Sequence, residues 1–201
     1  MKFSKLLAIS CMCTTLLSPP LYAKNLFSQF SENWVGPSKS SPISAPANSS
    51  VEVAFSPEAG AEALVIKFIA SATQSLRLAA YSFTSPPVVR ALLDAKRRGV
   101  DVEAVVDYKG NHSKSSLQAL NLLVNAGIPV RTISVYSIHH DKYIEIDNDS
   151  IENGSFNYTA SAAHRNSENA LVVWHNPVLA QRYLAHWQSR YNQGQVYQST
   201  Y

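Results

Sequence analysis

The sequence predicts an α/β protein: one domain built on a mixed, mainly parallel β-sheet with helices on both faces. Two observations carry this. Strand-like and helix-like segments alternate from Val51 to Ile133, the pattern of parallel strands joined by helical crossovers. From Ile138 onward short turns separate strand-like runs, which implies antiparallel neighbours and so a mixed sheet. A length of 201 residues, 46% of them hydrophobic, suits one sizeable core and excludes a mostly disordered chain.

Val51 to Phe55 alternates and reads as the first strand. Ser56-Pro57-Glu58 has the cap, first-turn proline and acid of a helix start, and Leu64, Val65, Phe68, Ile69 and Ala72 then repeat at helical spacing. Ser75 to Phe83 reads as the second strand. Ser85-Pro86 caps a helix through Val89, Leu92 and Leu93 that stops at Gly99, after Lys96-Arg97-Arg98. Val100 to Asp107 is the third strand, Ser115 to Asn125 a helix ended by Gly127, and Val130 to Ile133 the fourth strand. Ile138 to Asp147, Ser150 to Phe156 and Glu168 to Trp174 follow as strands. Asn176-Pro177 caps a final helix with Ala180, Leu184, Trp187 and Tyr191 on one face.

The chain before this domain has a different character. Lys2 and Lys5 precede the apolar run Leu6 to Leu17, and the small residue Ala23 ends Ser18-Pro19-Pro20-Leu21-Tyr22-Ala23, which together read as a Sec-type bacterial signal peptide over 1–23. The run is shorter than a membrane span needs. Residues 24–50 read as a tether: six serines and three prolines take nine of the fourteen positions from Pro37 to Ser50, behind an apolar patch of Leu26, Phe27, Phe30 and Trp34. Cleavage after Ala23 would export the protein to the periplasm or the medium. It would remove both cysteines and leave no thiol chemistry. The formal charge of +3 also dissolves: residues 51–201 hold 13 basic and 13 acidic side chains, so bulk charge argues for no nucleic-acid partner.

The chemistry concentrates in Ile138 to Asn157. On a strand, His140 and Lys142 would project together, and Ser155 and Asn157 likewise. An imidazole, an ammonium, an amide and a hydroxyl beside a glycine suit a phosphodiester. Lysine and asparagine can stabilise charge growing at phosphorus, and histidine can act as nucleophile or acid near neutral pH.

The spacing H-x-K-x4-D-x6-G-S-x-N, met at His140, Lys142, Asp147, Gly154, Ser155 and Asn157, resembles the signature of the phospholipase D superfamily. His112-Ser113-Lys114 is also H-x-K, but nothing else of the pattern follows it. Ala80 to Thr84, Lys96 to Asp101, Ser167-Glu168-Asn169-Ala170 and the aromatic last helix extend the resemblance over 51–201, to the small, exported, single-motif bacterial endonucleases of that superfamily.

The resemblance implies a phospholipase D-like fold and a metal-independent phosphodiesterase without cofactor. Its site would be shared by the two copies of a homodimer. One His140 would form a phosphohistidine while the other protonates the leaving oxygen. Lys142, Asn157 and Ser155 would hold phosphate, and Glu168 would orient the histidine ring. Asp147 lies an odd number of residues from His140, which points it to the other face and to a structural role with Gly154. The expected substrate is DNA, with RNA next. A phospholipid headgroup is the enzymatic rival, and a non-catalytic phosphate- or nucleic-acid-binding module the other.

Local readings stand beside these. His139 and His140 diverge too far on a strand to share a metal. His164, His175 and His186 read as surface or capping residues. Lys96 to Arg98 complements a helix terminus. Lys109, Lys114 and Arg165 are candidates for the rim of the site, and Trp174, Trp187 and Tyr191 for a core or dimer-interface cluster.

Overall fold

Period-two alternation sorts the strand side chains onto two faces of one sheet, and helices cover both. The structure, a computed structural model, describes residues 46–199; the expected signal peptide and nearly all of the tether lie outside the described residues. The strands are β1 (Ser50–Ser56), β2 (Ser75–Ala80), β3 (Asp101–Asp107), β4 (Val130–Ile133), β5 (Lys142–Ile146), β6 (Ser150–Gly154), β7 (Glu168–Trp174) and the two-residue β8 (Gln195–Val196). Their order across the sheet is β1-β7-β6-β5-β2-β3-β4-β8.

The helices are α1 (Ala61–Ser71), α2 (Pro86–Arg97), α3 (Lys114–Asn125), the short α4 (Ala160–His164) and α5 (Pro177–Gln193). One core joins the sheet to α1, α2 and α3 through Phe68, Ile69, Leu76, Leu78, Leu92 and Leu120, all fully buried. The other face is closed by α5, whose Trp187 and Tyr191 pack on Ala79, Val105, Ile133 and Tyr143. Each such side chain stabilises the fold by roughly 1.5–3 kcal/mol of transfer free energy. Local chemistry starts α2 and α5 where expected: Ser85 Oγ accepts from Val88 N, and Asn176 Oδ1 from Leu179 N.

Tertiary partners change several expectations. The sheet is mixed, but its pairings are mainly antiparallel rather than mainly parallel. Only β2–β3 and β3–β4 run parallel, and the other five neighbouring pairs are antiparallel. Helical crossovers link only those three strands in sequence, whereas β5 and β6 join through the tight turn Asp147–Asp149 and β1 is recruited to the far edge by β7. Ser56 is no helix cap, because it pairs with Glu168 as the last residue of β1; α1 starts behind Gly60, whose φ of 75° suits glycine.

Strand ends shorten for the same kind of reason. β2 stops at Ala80 because Asn111 takes the next backbone groups, accepting from Phe83 N and donating to Tyr81 O. β5 begins only at Lys142, since Asp107 Oδ2 accepts from His139 N at 2.8 Å and holds the preceding segment away from a ladder. Trp174, Trp187 and Tyr191 form no cluster. Trp174 packs on Phe68 at 5.2 Å on the α1 side, while Trp187 and Tyr191 stack at 4.4 Å on the α5 side.

Within the first core, Tyr158 Oη donates to the fully buried Glu152 at 2.8 Å. Burial pushes the Glu152 carboxyl up to about 8 against the lowering effect of that bond. The folded chain keeps a proton that the unfolded chain releases above about pH 4.3. Stability from this group is therefore full below that pH and is lost as pH rises toward 8. Glu152→Gln keeps an acceptor for Tyr158 and removes the titration. Its gain over the wild type, measured as urea midpoint, should grow steadily from pH 5 to pH 8; an equal difference at both ends would contradict it.

Candidate active site

The strand ends meet at one edge of the sheet. β2 and β3 finish there, and antiparallel pairing of Lys142 with Ala80 makes β5 begin there. β6 ends and β7 begins at the same edge, where Gly154 pairs with Ala170. At this edge His140, Lys142, Gly154, Ser155, Asn157 and Glu168 line one open cleft of about 410 Å³. Ligands of open α/β sheets bind in such crevices at strand ends.

Each side chain is held by identifiable contacts. Asp107, itself buried, anchors the His139 amide and accepts from Gly110 N at 2.6 Å, so the histidine segment is tied to the end of β3. His140 follows as an exposed residue, its ring tilted against Tyr81 at 4.8 Å. The pair with Lys142 does not arise from strand pleating, because His140 precedes β5. Instead Lys142 Nζ donates to His140 O at 2.8 Å and sits 5.2 Å from the Tyr81 ring centre. Burial lowers the Lys142 pKa, while the nearby Glu168 and Asp141 carboxylates oppose the shift and favour the cation.

The other half of the cleft comes from a bend. Ser155 N and Phe156 N both donate to Asn169 O, at 3.1 and 3.2 Å, which ends β6 and turns the chain. Ser155 Oγ then donates to Glu168 Oε2 at 2.6 Å and accepts from Asn169 N. Asn157 follows. Thr84 N and Ser85 N both donate to the next carbonyl, Tyr158 O, and lock the loop against α2. Asn157 lines the cleft, and its Oδ1 is buried with no hydrogen-bond partner. Glu168 does not orient the His140 ring within the chain: its carboxylate accepts from Ser155 and, at 2.9 Å, from Asn166 Nδ2.

Asp147 does not line the cleft. Its carboxylate accepts from Thr73 N, Thr73 Oγ1, Gln74 N and Ser75 N, closing the turn before β2. Partial burial pushes this carboxyl up, but those hydrogen bonds outweigh it and hold it below the usual aspartate range. Lys109, Lys114 and Arg165 are not among the lining residues. Sequence reasoning missed Tyr81, Asp107 and Asn166; His186, expected as a surface or capping residue, is 40% exposed and also sets its Nε2 2.9 Å from Asp141 Oδ2. The available signal for Tyr81 and Asp107 was position alone, at or just beyond the ends of adjacent strands. Among the described residues, no three His, Cys, Asp or Glu side chains converge to hold a metal ion.

An imidazole, an ammonium, a hydroxyl and an amide around one open crevice of an α/β sheet are groups suited to a phosphodiester. Comparison with known proteins makes the assignment specific. The family model described as cardiolipin synthase, PLD-like domain, matches residues 65–191. A phospholipase D of Rickettsia bellii is 34% identical over 171 residues, 84% of each chain. The crystal structure of Nuc from Salmonella typhimurium, a phospholipase D family member, superposes with a TM-score of 0.75 at 51% identity, covering 76% of this chain and all of Nuc. NucT from Helicobacter pylori shares the fold, with a TM-score of 0.65 at 23% identity over 75% of this chain and all of NucT. The chain belongs to the phospholipase D superfamily.

Gly154 is the tightest point of the site. A Cβ there would lie 2.1 Å from Asn169 O and 3.0 Å from its carbonyl carbon, both backbone atoms. Gly154→Ala must separate β6 from β7 and should cost about 1–3 kcal/mol in a thermal or urea unfolding curve. A variant with wild-type stability would show that the two backbones do not approach this closely.

Proposed function

We propose that the protein is a metal-independent phosphodiesterase that hydrolyses DNA, and RNA as well, through a phosphohistidine on His140. The observation that carries this is the convergence of His140, Lys142, Ser155, Asn157 and Glu168 on one cleft containing a single histidine. In-line displacement at phosphorus puts the attacking and leaving groups on opposite sides, so one imidazole cannot serve both. A second copy of the chain supplies the other, and the working unit is a homodimer with the cleft at its two-fold axis.

One His140 ring nitrogen bonds to phosphorus as the P–O bond breaks, and the leaving oxygen takes a proton from the second, protonated His140. Water then attacks the phosphohistidine, giving its proton to that second ring; the N–P bond breaks and both histidines are restored. Lys142 and Asn157 bear on the non-bridging oxygens, and Ser155, fixed by Glu168, borders them. Nucleic acid is favoured over lipid by the resemblance of residues 51–201 to small exported endonucleases, while the Rickettsia relatives are named phospholipase D. That name favours a lipid headgroup as the second reading. Export follows from the charged and apolar residues of 1–23, with 24–50 as a tether to the catalytic domain at 51–201. Among the described residues, no helix is long and apolar enough to cross a membrane.

The protein lacking residues 1–23 is incubated in EDTA with plasmid DNA, with RNA and with phosphatidylcholine vesicles, beside His140→Ala. Nucleic-acid cleavage should survive EDTA and fall on the order of a thousandfold or more in the variant. Cleavage that needs a divalent metal sinks the mechanism, and lipid turnover without nucleic-acid turnover sinks the substrate. Sedimentation of the active protein should show a dimer; full activity in a strict monomer contradicts the shared site.

A further inference from the structure

A second cleft, of about 380 Å³, opens on the α5 side of the same strand ends. Asp141, Tyr143 and Asn153 contribute from the sheet side, and Arg182, Tyr183 and His186 from α5. It adjoins the first cleft through the backbone. Asp141 stands between His140 and Lys142, and Asn153 immediately precedes Gly154. Residues ~3.8 Å apart at Cα thus serve opposite sides of the same strand ends.

Two donors of this cleft, the Tyr143 hydroxyl and Arg182, lack a hydrogen-bond or ion-pair complement among the described residues. Tyr143 is 3% exposed, yet its hydroxyl has no hydrogen-bond partner. Burial, reinforced by Asp141, raises its pKa and keeps it a donor. A buried donor without an acceptor is unfavourable, and a ligand oxygen entering the cleft removes that defect. Arg182 is exposed and makes no ion pair with any described residue. His186 has its Nε2 on Asp141 and so offers only the other ring nitrogen. Tyr183 stands edge-on to Tyr143 at 4.9 Å, a half-buried aromatic wall. Arg182, the Tyr143 hydroxyl and the Asn153 amide can donate to a phosphate, the one acid of the lining, Asp141, being paired with His186, and the tyrosine ring matches the flat face of a base or the edge of a sugar.

We propose that this second cleft is the subsite for the nucleotide adjoining the scissile phosphate, with Arg182 and the Tyr143 hydroxyl on its phosphate and Tyr183 against its base or sugar. The proposal rests on the nucleic-acid reading above and deepens it. A strand whose phosphate lies at His140 reaches the cleft with its next nucleotide, whereas a lipid headgroup has no such neighbour to place there. The subsite lets a domain of zero net charge grip a polyanion by local placement.

Two measurements test it. In the inactive His140→Ala background, a labelled short single strand is titrated by fluorescence anisotropy, and Arg182→Ala, Tyr183→Ala and Tyr143→Phe are added singly. The first two should each weaken binding about tenfold, and the third less. In the active enzyme, kcat/KM for a short strand relative to bis(4-nitrophenyl) phosphate, which carries no nucleoside, should fall about tenfold on Arg182→Ala. Unchanged affinity and an unchanged ratio, in a wild type that does cut strands, overturn the subsite and leave the substrate reading intact. A wild type that hydrolyses the small phosphodiester or lipid but no nucleic acid overturns both. Loss of the dimer in Tyr183→Ala with unaltered strand affinity assigns the cleft to a protein interface and overturns the subsite.

Discussion

The candidate site depends on the contact between Gly154 and the carbonyl of Asn169. Only a residue without a side chain lets β6 and β7 approach so closely, and the approach brings Ser155 N and Phe156 N onto one carbonyl oxygen. That shared acceptor ends the ladder. The turn that results puts Ser155 on Glu168 and leaves Asn157 in the cleft. It also sends Phe156 and Tyr158 into the core, where both are fully buried. A chemically exposed segment is thereby anchored by two of the largest buried side chains in the protein.

A second support comes from the opposite side of the cleft. Asn111 ties the backbone just beyond β2 to that at the end of β3, and Asp107 fixes the amide of His139. His140 can then be exposed without being loose, because its neighbours are bonded to the sheet and its ring rests on Tyr81. Lys142 is desolvated, but Glu168 and Asp141 limit the loss of its charge. Uneven burial also governs the acids. Glu145, fully buried in β5, has its carboxyl raised to about 7 by desolvation, whereas the hydrogen-bonded Asp147 two residues later is held down. A charge total of zero for residues 51–201 says nothing about such local differences.

Much of the site was legible because its chemistry lies on short stretches. The spacing from His140 to Asn157 spans one hairpin and the bend after it, and five of the six motif positions line the cleft together with Glu168. The sixth, Asp147, closes the hairpin turn onto residues 73–75. A lysine-to-carbonyl bond, not alternation along a strand, joins His140 and Lys142. Within the chain Glu168 bonds Ser155 and Asn166.

The sequence by itself determined the four long helices, the Ser85 and Asn176 caps, the strands of the first half to within a few residues, and the motif that marks the site. These depend on periodicity and on side-chain-to-backbone bonds that act over three or four residues. Only the tertiary structure decided that antiparallel pairs dominate and that Ser56 belongs to a strand. It also decided that Tyr81, Asp107 and His186 gather around the histidine segment. Each of those outcomes depends on a partner tens of residues away, Glu168 for Ser56 and Asp141 for His186 among them. No local rule specifies such partners, because the folded sheet, not the chain, sets which distant backbone and side-chain groups must satisfy one another.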